Sequence, residues 1–493
     1  MESVKKKVDF TEGKVFLKIV WFILPIMATN LLQTFYNAAD MMVVSLSHEA
    51  NAVGAIGTTG SFINLVVNVF IGFSVGANVV VAREIGAKDR EKTQKAVHTA
   101  LLMAVMFGVL GMAIGVSISR LVLRSMGNSG NLLDLAVRYT YIYFLGVPFL
   151  ALTNYLMAIF RAKGDAKTPL AVLTLTGLLN VGMNFIFVVV VGLSVEGVAL
   201  ATSMANVASV IVLLTKLSKE QDDTTFSWKN LKIDKTSFQD IVVNGLPAGI
   251  QGALFSLSNI LIQSSVVTVN NKLVPPNSNY DAIINGNAAA LNLEGFVYMA
   301  MSAVYQGAIT FTSQNMGAKK PCRVKRIMYS CAGIVSAIGL VMSVIMFLLR
   351  TPLLSLYGIV PGEEGSLQRL AFHAAEMRFI YICLFYFLCG LMDVMTGVLR
   401  GLGKSMIATI LALVGACLLR VVWIWTVFAA SQTLEAIYIS YPISWVVTTV
   451  AGFTTIQLLL KKILRNQNCN TQTKEENTTE EIKEIENDFI EIN

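Results

Sequence analysis

Apolar residues fall into twelve long stretches, at approximately 15–44, 52–82, 95–123, 132–160, 166–191, 195–217, 237–269, 283–315, 325–350, 368–398, 404–429 and 433–462. A membrane-crossing helix needs about 20 mostly apolar residues. Each stretch meets that length, and several are long enough to tilt or bend. The pattern predicts an all-α polytopic membrane protein with twelve transmembrane helices. The polar segments divide it into a cytoplasmic N-terminus (1–14), an N-lobe (15–217), a cytoplasmic linker (218–236), a C-lobe (237–462) and an acidic cytoplasmic tail (463–493). The tail is rich in Asn and Thr, carries eight acidic residues against two lysines from Asn466 to Asn493, and is expected to be disordered. The first span follows a basic segment without a clear small-residue cleavage site and reads as a signal anchor.

Composition supports this class. The 493 residues are 55% hydrophobic and only 14% charged, against about 25% charged in soluble domains. Mean hydropathy is +0.64, too apolar for a single soluble core, which stops growing near ~250–300 residues. An ordinary soluble enzyme and a disordered chain are both excluded. The net charge of +7 is distributed by side: 29 lysines and arginines fall in one alternating set of connections and termini, five in the other. That asymmetry is the positive-inside pattern. It predicts an even number of spans with both termini in the cytoplasm, and it accounts for the basic charge without nucleic acid. Cys331, Cys383, Cys389 and Cys417 lie in apolar runs, and the six cysteines show no CxxC spacing. They read as apolar fillers, implying no disulfide framework or zinc site. His48, His98 and His373 are scattered and form no metal cluster.

The two halves repeat. Gly76-Ala77 and Gly86-Ala87-Lys88 match Gly307-Ala308 and Gly317-Ala318-Lys319 at an offset of 231. Leu24-Pro25 and Asn37 match Leu246-Pro247 and Asn259 at an offset of 222. Arg161, Gly164 and Glu196 match Arg400, Gly403 and Glu435 at an offset of 239. Six spans per half gives a parallel repeat about an axis along the membrane normal, an arrangement that secondary transporters use. The two basic "GAK" loops lack the GxxxxGK[ST] spacing of a phosphate loop. No nucleotide-hydrolysing domain is evident, so an ion gradient is the expected energy source, with neither enzymatic catalysis nor a bound cofactor.

Two six-span halves, Pro25 and Pro247 in the first and seventh spans, Asp40 in "FYNAADMMVVS", the GAK loops and "MDVMTGVLRGLGKS" together resemble the multidrug and toxic compound extrusion (MATE) family over about residues 10–462. The resemblance implies two pseudo-symmetric six-helix lobes in a V around a central cavity. It implies efflux of organic cations and other amphipathic compounds, coupled to inward H+ or Na+ flow; separately, the plasma membrane is the expected location, and a monomer can form the whole pathway.

Charged and polar residues deep in apolar spans are costly and mark function. Asp40 lies roughly 8 Å inside the outer end of its span at 1.5 Å per residue. Asn184 and Asn180 stand one turn apart on one face of span five, and Thr202 is at a similar depth in span six. Carboxylate, amide and hydroxyl oxygens suit a small hard cation, or a proton on the carboxylate held by donors. The same four positions resemble the family's N-lobe cation site. Members with a well-defined Na+ site often carry aspartate where this chain has Asn184, which weakens the case for Na+. Some relatives also have a carboxylate early in span seven, where this chain reads Phe255-Ser256.

In the C-lobe, Glu294 and Asp393 are candidates for a cationic substrate or a second coupling ion, with a buried ion pair to Arg378 or Arg420 as the alternative for Glu294. The repeat pairs Asp393 with Asn154. Tyr36, Tyr139 and Tyr298 are candidates to face the cavity and offer cation–π contacts. Pro25 removes a backbone donor and can bend span one with the state of Asp40. Protonation of Asp40 would remove a charge and let the lobe repack without ion desolvation. The runner-up reading is a lipid-linked saccharide flippase of the same broad fold, kept open by Arg138, Arg378 and Arg420. A receptor or scaffold without transport would have no need of embedded acids in both lobes.

Overall fold

The computed structural model describes residues 9–44, 47, 52–126, 130–275, 278 and 280–465. The N-terminal eight residues, His48 and the acidic tail from Asn466 lie outside that set. The described residues form helices and connections, with no strand among them. Twelve long helices run in order: α1 (Val15–Val44), α2 (Ala52–Gly86), α3 (Arg90–Ser125), α4 (Gly130–Ala162), α5 (Lys167–Phe185), α6 (Val195–Lys219), α7 (Lys235–Leu273), α8 (Ala282–Gly317), α9 (Cys322–Leu348), α10 (Leu367–Gly401), α11 (Ser405–Ser431) and α12 (Leu434–Arg465).

Among the described residues, eleven of these helices are long and apolar enough to cross a membrane, and α8 is the exception. Its length is sufficient but its sequence is polar, with Asn287, Glu294, Thr310, Gln314 and Asn315 all buried. The packing resolves the conflict. α8 packs against α1, α2, α9 and α10, so its buried polar side chains meet protein. Asn287 Nδ2 donates to Gln263 (3.0 Å), Thr310 to Asn78 (3.1 Å), Gln314 to the Ala162 carbonyl (2.6 Å) and Asn315 to the Phe10 carbonyl (3.1 Å). A helix face buried against protein does not need to be apolar.

The internal repeat has a physical consequence at the GAK loops. A Cβ on Gly86 would collide with the Gln314 backbone, and one on Gly317 would collide with the Arg83 backbone. Arg83 and Gln314 are themselves related by the offset of 231, so α2 and α8 cross reciprocally with their backbones in contact. Each helix then ends in a left-handed residue, Lys88 (φ 57°) and Lys319 (φ 56°). Higher up, Gly72 of α2 faces the Gly249 backbone of α7. The lobes are joined at this basic end by further contacts: the Arg83–Asp240 ion pair, the stacked rings of Phe10 and Phe311 (4.0 Å between centroids), and the Thr310–Asn78 hydrogen bond. Gly86→Val and Gly317→Val are each expected to cost about 1–3 kcal/mol of stability through overpacking. Thermal-melt profiles of the purified variants check this, and melts equal to the wild type's would show that the crossing is not tight.

The linker is fastened to the N-lobe. The Ser227 backbone N–H donates to His98 Nε2 (3.0 Å), and the other ring nitrogen lies 2.7 Å from the Gln94 carbonyl. The Asp234 backbone N–H donates to Thr99, and the Asp234 side chain caps α7 through the Ser237 N–H. Cys331, Cys383, Cys389 and Cys417 are free thiols, three of them buried. The expectation of no disulfide fails at Cys322, which is disulfide-bonded.

Candidate ion-coupling and substrate sites

The N-lobe candidates converge from three helices. α1 supplies Asp40 near its C-terminal end, α5 supplies Asn180 and Asn184, and α6 supplies Thr202. Asn184 Nδ2 donates to Asp40 Oδ1 at 2.5 Å, and the Thr202 hydroxyl reaches Asp40 Oδ2 at 3.5 Å. In the amide orientation that satisfies both its ends, Asn180 donates from nitrogen to Asp40 Oδ1 (2.9 Å) and accepts from the Thr202 backbone N–H (3.3 Å). The carboxylate is therefore held by three donors. Asn180 and Asn184 are buried, and Asn184 Oδ1 has no partner among the described residues. Buried acceptors are nearly always paired, so this oxygen is an exception within the cluster; the amide nitrogen, not the oxygen, faces Asp40. Directly after Asn184, α5 widens into a π-helical turn (Ile186–Val190), a feature frequent at functional positions.

The tyrosines separate by role. Tyr139 and its neighbour Tyr143 lie near enough to Asp40 to feel its charge, with their rings 5.9 Å apart. Tyr139 is buried. Tyr36 is used in packing: its ring fits over Gly177 and its hydroxyl donates to the Thr174 carbonyl (3.3 Å), tying α1 to α5. Pro25 sits inside an uninterrupted α1, and its carbonyl accepts from the Thr29 hydroxyl (2.8 Å).

The C-lobe holds a cavity of about 850 Å³ between α2 and helices α7, α8 and α10–α12. Tyr298 and Asp393 line it, as do Arg378, Arg400 and Arg420. Glu294 does not: it is fully buried behind Arg378, which donates to Glu294 Oε2 from Nε (3.1 Å) and Nη2 (2.9 Å). Arg378 Nη1 and the Tyr438 hydroxyl both donate to Asn287 Oδ1, each at 2.9 Å. Of the two readings open for Glu294, the structure carries the ion pair. Asn154, matched to Asp393 by the repeat, is absent from this cavity and donates to the Leu150 carbonyl of its own helix (2.9 Å). Asp393 pairs with Tyr298 and lies in the field of Arg400.

Arg400 is the residue that sequence reasoning misplaced. It falls just outside the apolar stretch 368–398, yet it is inside α10 and 4% exposed. It bonds the Tyr305 hydroxyl and donates to Gln251 Oε1 (2.8 Å). Its position seven residues after Asp393 was the available signal, because two helical turns return to the same face. Gln251, Tyr305, Tyr441 and Trp445 were likewise not singled out.

Paired six-helix lobes, with polar clusters buried at membrane depth in each, define a multi-pass membrane transporter. The MatE family model matches residues 25–186 and 282–426, and the chain belongs to this family of multidrug efflux transporters. It is 24% identical over 455 residues to the probable multidrug resistance protein YoeA of Bacillus subtilis (strain 168), covering 90% of this chain and 93% of that one. It is 23% identical over 416 residues to the multidrug export protein MepA of Staphylococcus aureus (strain MSSA476), covering 84% and 88%. The fold matches that of a multidrug resistance MATE family transporter of the MOP superfamily in an outward-facing conformation, with a TM-score of 0.84, 19% identity, and coverage of 94% of this chain and 100% of that one. It also matches a MOP superfamily transporter from Pyrococcus furiosus Vc1, with a TM-score of 0.83, 20% identity, and coverage of 94% and 99%.

Proposed function

We propose that this protein is an antiporter that exports amphipathic or cationic compounds in exchange for an inward-moving ion, by rocking the two lobes about their glycine crossing. The plasma membrane is its proposed location, with both termini in the cytoplasm and one copy forming the whole pathway. Asp40, Asn180, Asn184 and Thr202 are the proposed coupling site. Tyr298 and Asp393 are the proposed substrate contacts.

One observation carries the reading: three donors converge on the Asp40 carboxylate beside a buried Asn184 oxygen that lacks a partner. That donor set suits a carboxylate that gains and loses a proton. Binding Na+ there would require both amides to turn their oxygens inward, and the position that could have supplied a second charge is Asn184. H+ is therefore the preferred coupling ion. When Asp40 is protonated, its three donors lose a charged acceptor, and its own O–H needs one. Rotation of the Asn184 amide supplies it, at the junction with the π-helical turn of α5. The conformational bias then passes along α1 and α5.

The arginines of the C-lobe cavity are the one observation that favours a saccharide-lipid flippase. Efflux of a fluorescent organic cation from everted vesicles, with a pH gradient or a Na+ gradient imposed alone, decides between these readings. The pH gradient is expected to drive efflux. Stimulation by Na+ alone would move the coupling ion to Na+, and stimulation by neither would overturn the antiporter.

A further inference from the structure

The C-lobe cavity has an unbalanced positive charge. Its wall carries Arg378, Arg400 and Arg420 against one acid, Asp393. Glu294 compensates Arg378 from behind the wall, and Asp393 lies in the field of Arg400. Arg420 is left. It is 4% exposed, its Nε donates to the neutral Ser444 hydroxyl (2.8 Å), and its Nη2 has no partner among the described residues. The guanidinium lies 4.1 Å from the Tyr441 ring centroid and 5.6 Å from that of Trp445, and both rings line the same cavity. Arg400 also has a buried Nε without a partner. A buried cation at membrane depth is costly unless it is paired. Cation–π contacts return only part of that cost.

The backbone around Arg420 is correspondingly irregular. Two π-helical turns, Leu413–Leu418 and Ile424–Phe428, bracket the short α-helical segment that holds it. The second matches the π-helical turn beside Asn184 in the other half. Such insertions re-aim a side chain, and here one is repeated beside each lobe's buried polar cluster.

We infer that the C-lobe cavity is an oxyanion site: Arg420 binds the carboxylate or phosphate of an amphipathic ligand whose aromatic or apolar body lies along Tyr441 and Trp445. Guanidinium suits this task because its planar fork meets two oxygens at once, and charge-assisted bonds of this kind are the strong ones. Asp393 stands about two helical turns from the Arg400 end and accommodates the cationic end of a zwitterion. The substrate class proposed above is thereby extended to anionic and zwitterionic amphipaths. The inference rests on the exporter reading only for its role in transport, since binding itself requires no gradient.

The test is an equilibrium titration of the full-length protein in phosphatidylcholine nanodiscs, by calorimetry, with two probes sharing one aromatic body: 2-naphthoate and trimethyl-2-naphthylammonium. The wild type is expected to bind naphthoate at least about 10-fold more tightly than the ammonium, since one charge-assisted pair contributes on the order of 1.5–3 kcal/mol. R420Q is expected to lose that preference, and R420K to retain part of it. R138Q, which removes an arginine outside the cavity, is expected to change neither affinity. A second set of discs containing phosphatidylglycerol separates the oxyanion's source. Loss of naphthoate binding there assigns the site to a lipid phosphate, and unchanged binding assigns it to a soluble carboxylate. A wild type that prefers the ammonium overturns the site without any variant, as does an R420Q that binds naphthoate normally. Failure of gradient-driven efflux would overturn the exporter and leave these affinities untouched.

Discussion

Replacing Asp40 with asparagine is expected to abolish coupled efflux while leaving membrane expression intact. Asp40→Asn is isosteric, so the packing of α1 against α5 is preserved and only the titratable charge is lost. Asn184 Nδ2 then faces an amide in place of a carboxylate, and the Thr202 and Asn180 donors lose a charged acceptor. Without the titratable carboxyl on α1 the gradient has nothing to act on there, so gradient-driven export should fall to the rate seen with no gradient imposed. Everted vesicles matched for protein content give the rate. Export at the wild-type rate would remove Asp40 from the mechanism. Asn184→Ala serves as a partial case: it removes the shortest donor and the unpartnered oxygen while keeping the carboxylate. It should therefore impair export less than loss of the carboxylate does.

The second large effect is on stability. Arg378 and Glu294 have side chains only 3% and 1% exposed and are joined by a 2.9 Å ion pair. Arg378→Gln leaves the Glu294 carboxylate buried without a cation, and breaking a buried pair in this way costs about 3–5 kcal/mol. The cost arises from the charge that remains, so the double replacement Glu294→Gln with Arg378→Gln should be far milder than Arg378→Gln alone. Thermal-melt profiles of the detergent-purified proteins resolve this. Equal melting of the single variant and the wild type would show that the pair holds nothing together. A double variant worse than both singles would show that the pair contributes more than its charges cost.

The sequence revealed one half of the site more clearly than the other, for physical reasons. Asp40, Asn180, Asn184 and Thr202 were legible because each is a polar exception in an apolar span. Similar depth in neighbouring spans was enough to bring them together. The C-lobe network depends on partners that no local pattern encodes. Arg378 was one of the two partners open for Glu294, and choosing between them needed three dimensions, because the pair meets across α8 and α10 from 84 residues apart. Arg400 was hidden by its place beside a basic connection, where a positive charge reads as topology. The twelve helices were legible from apolar length, including α8, but the reason for its polarity lies in burial by its neighbours. The paired GAK motifs were visible as a repeat, whereas their mutual backbone contact needed three dimensions. The π-helical turns beside Asn184 and Arg420 left no mark in the spacing of apolar residues, because a single widened turn shifts the helical face by less than the width of an apolar stripe.

The polar clusters that break the apolar pattern thus differ between the lobes. The N-lobe holds one carboxylate surrounded by neutral donors, suited to ion exchange. The C-lobe cluster holds three arginines among aromatics and the acids Glu294 and Asp393, suited to a ligand. In the proposed cycle the lobes communicate where α2 crosses α7 and α8, with Gly72, Gly86 and Gly317 allowing backbone contact.

The central claim, that Asp40 carries the proton exchanged for substrate, is tested most directly by proton release from the purified protein. Substrate is added to weakly buffered detergent solution containing a pH indicator dye. The wild type is expected to release protons in a saturable, substrate-dependent manner, and Asp40→Asn to release none while still binding substrate. Equal release from both proteins would contradict the assignment.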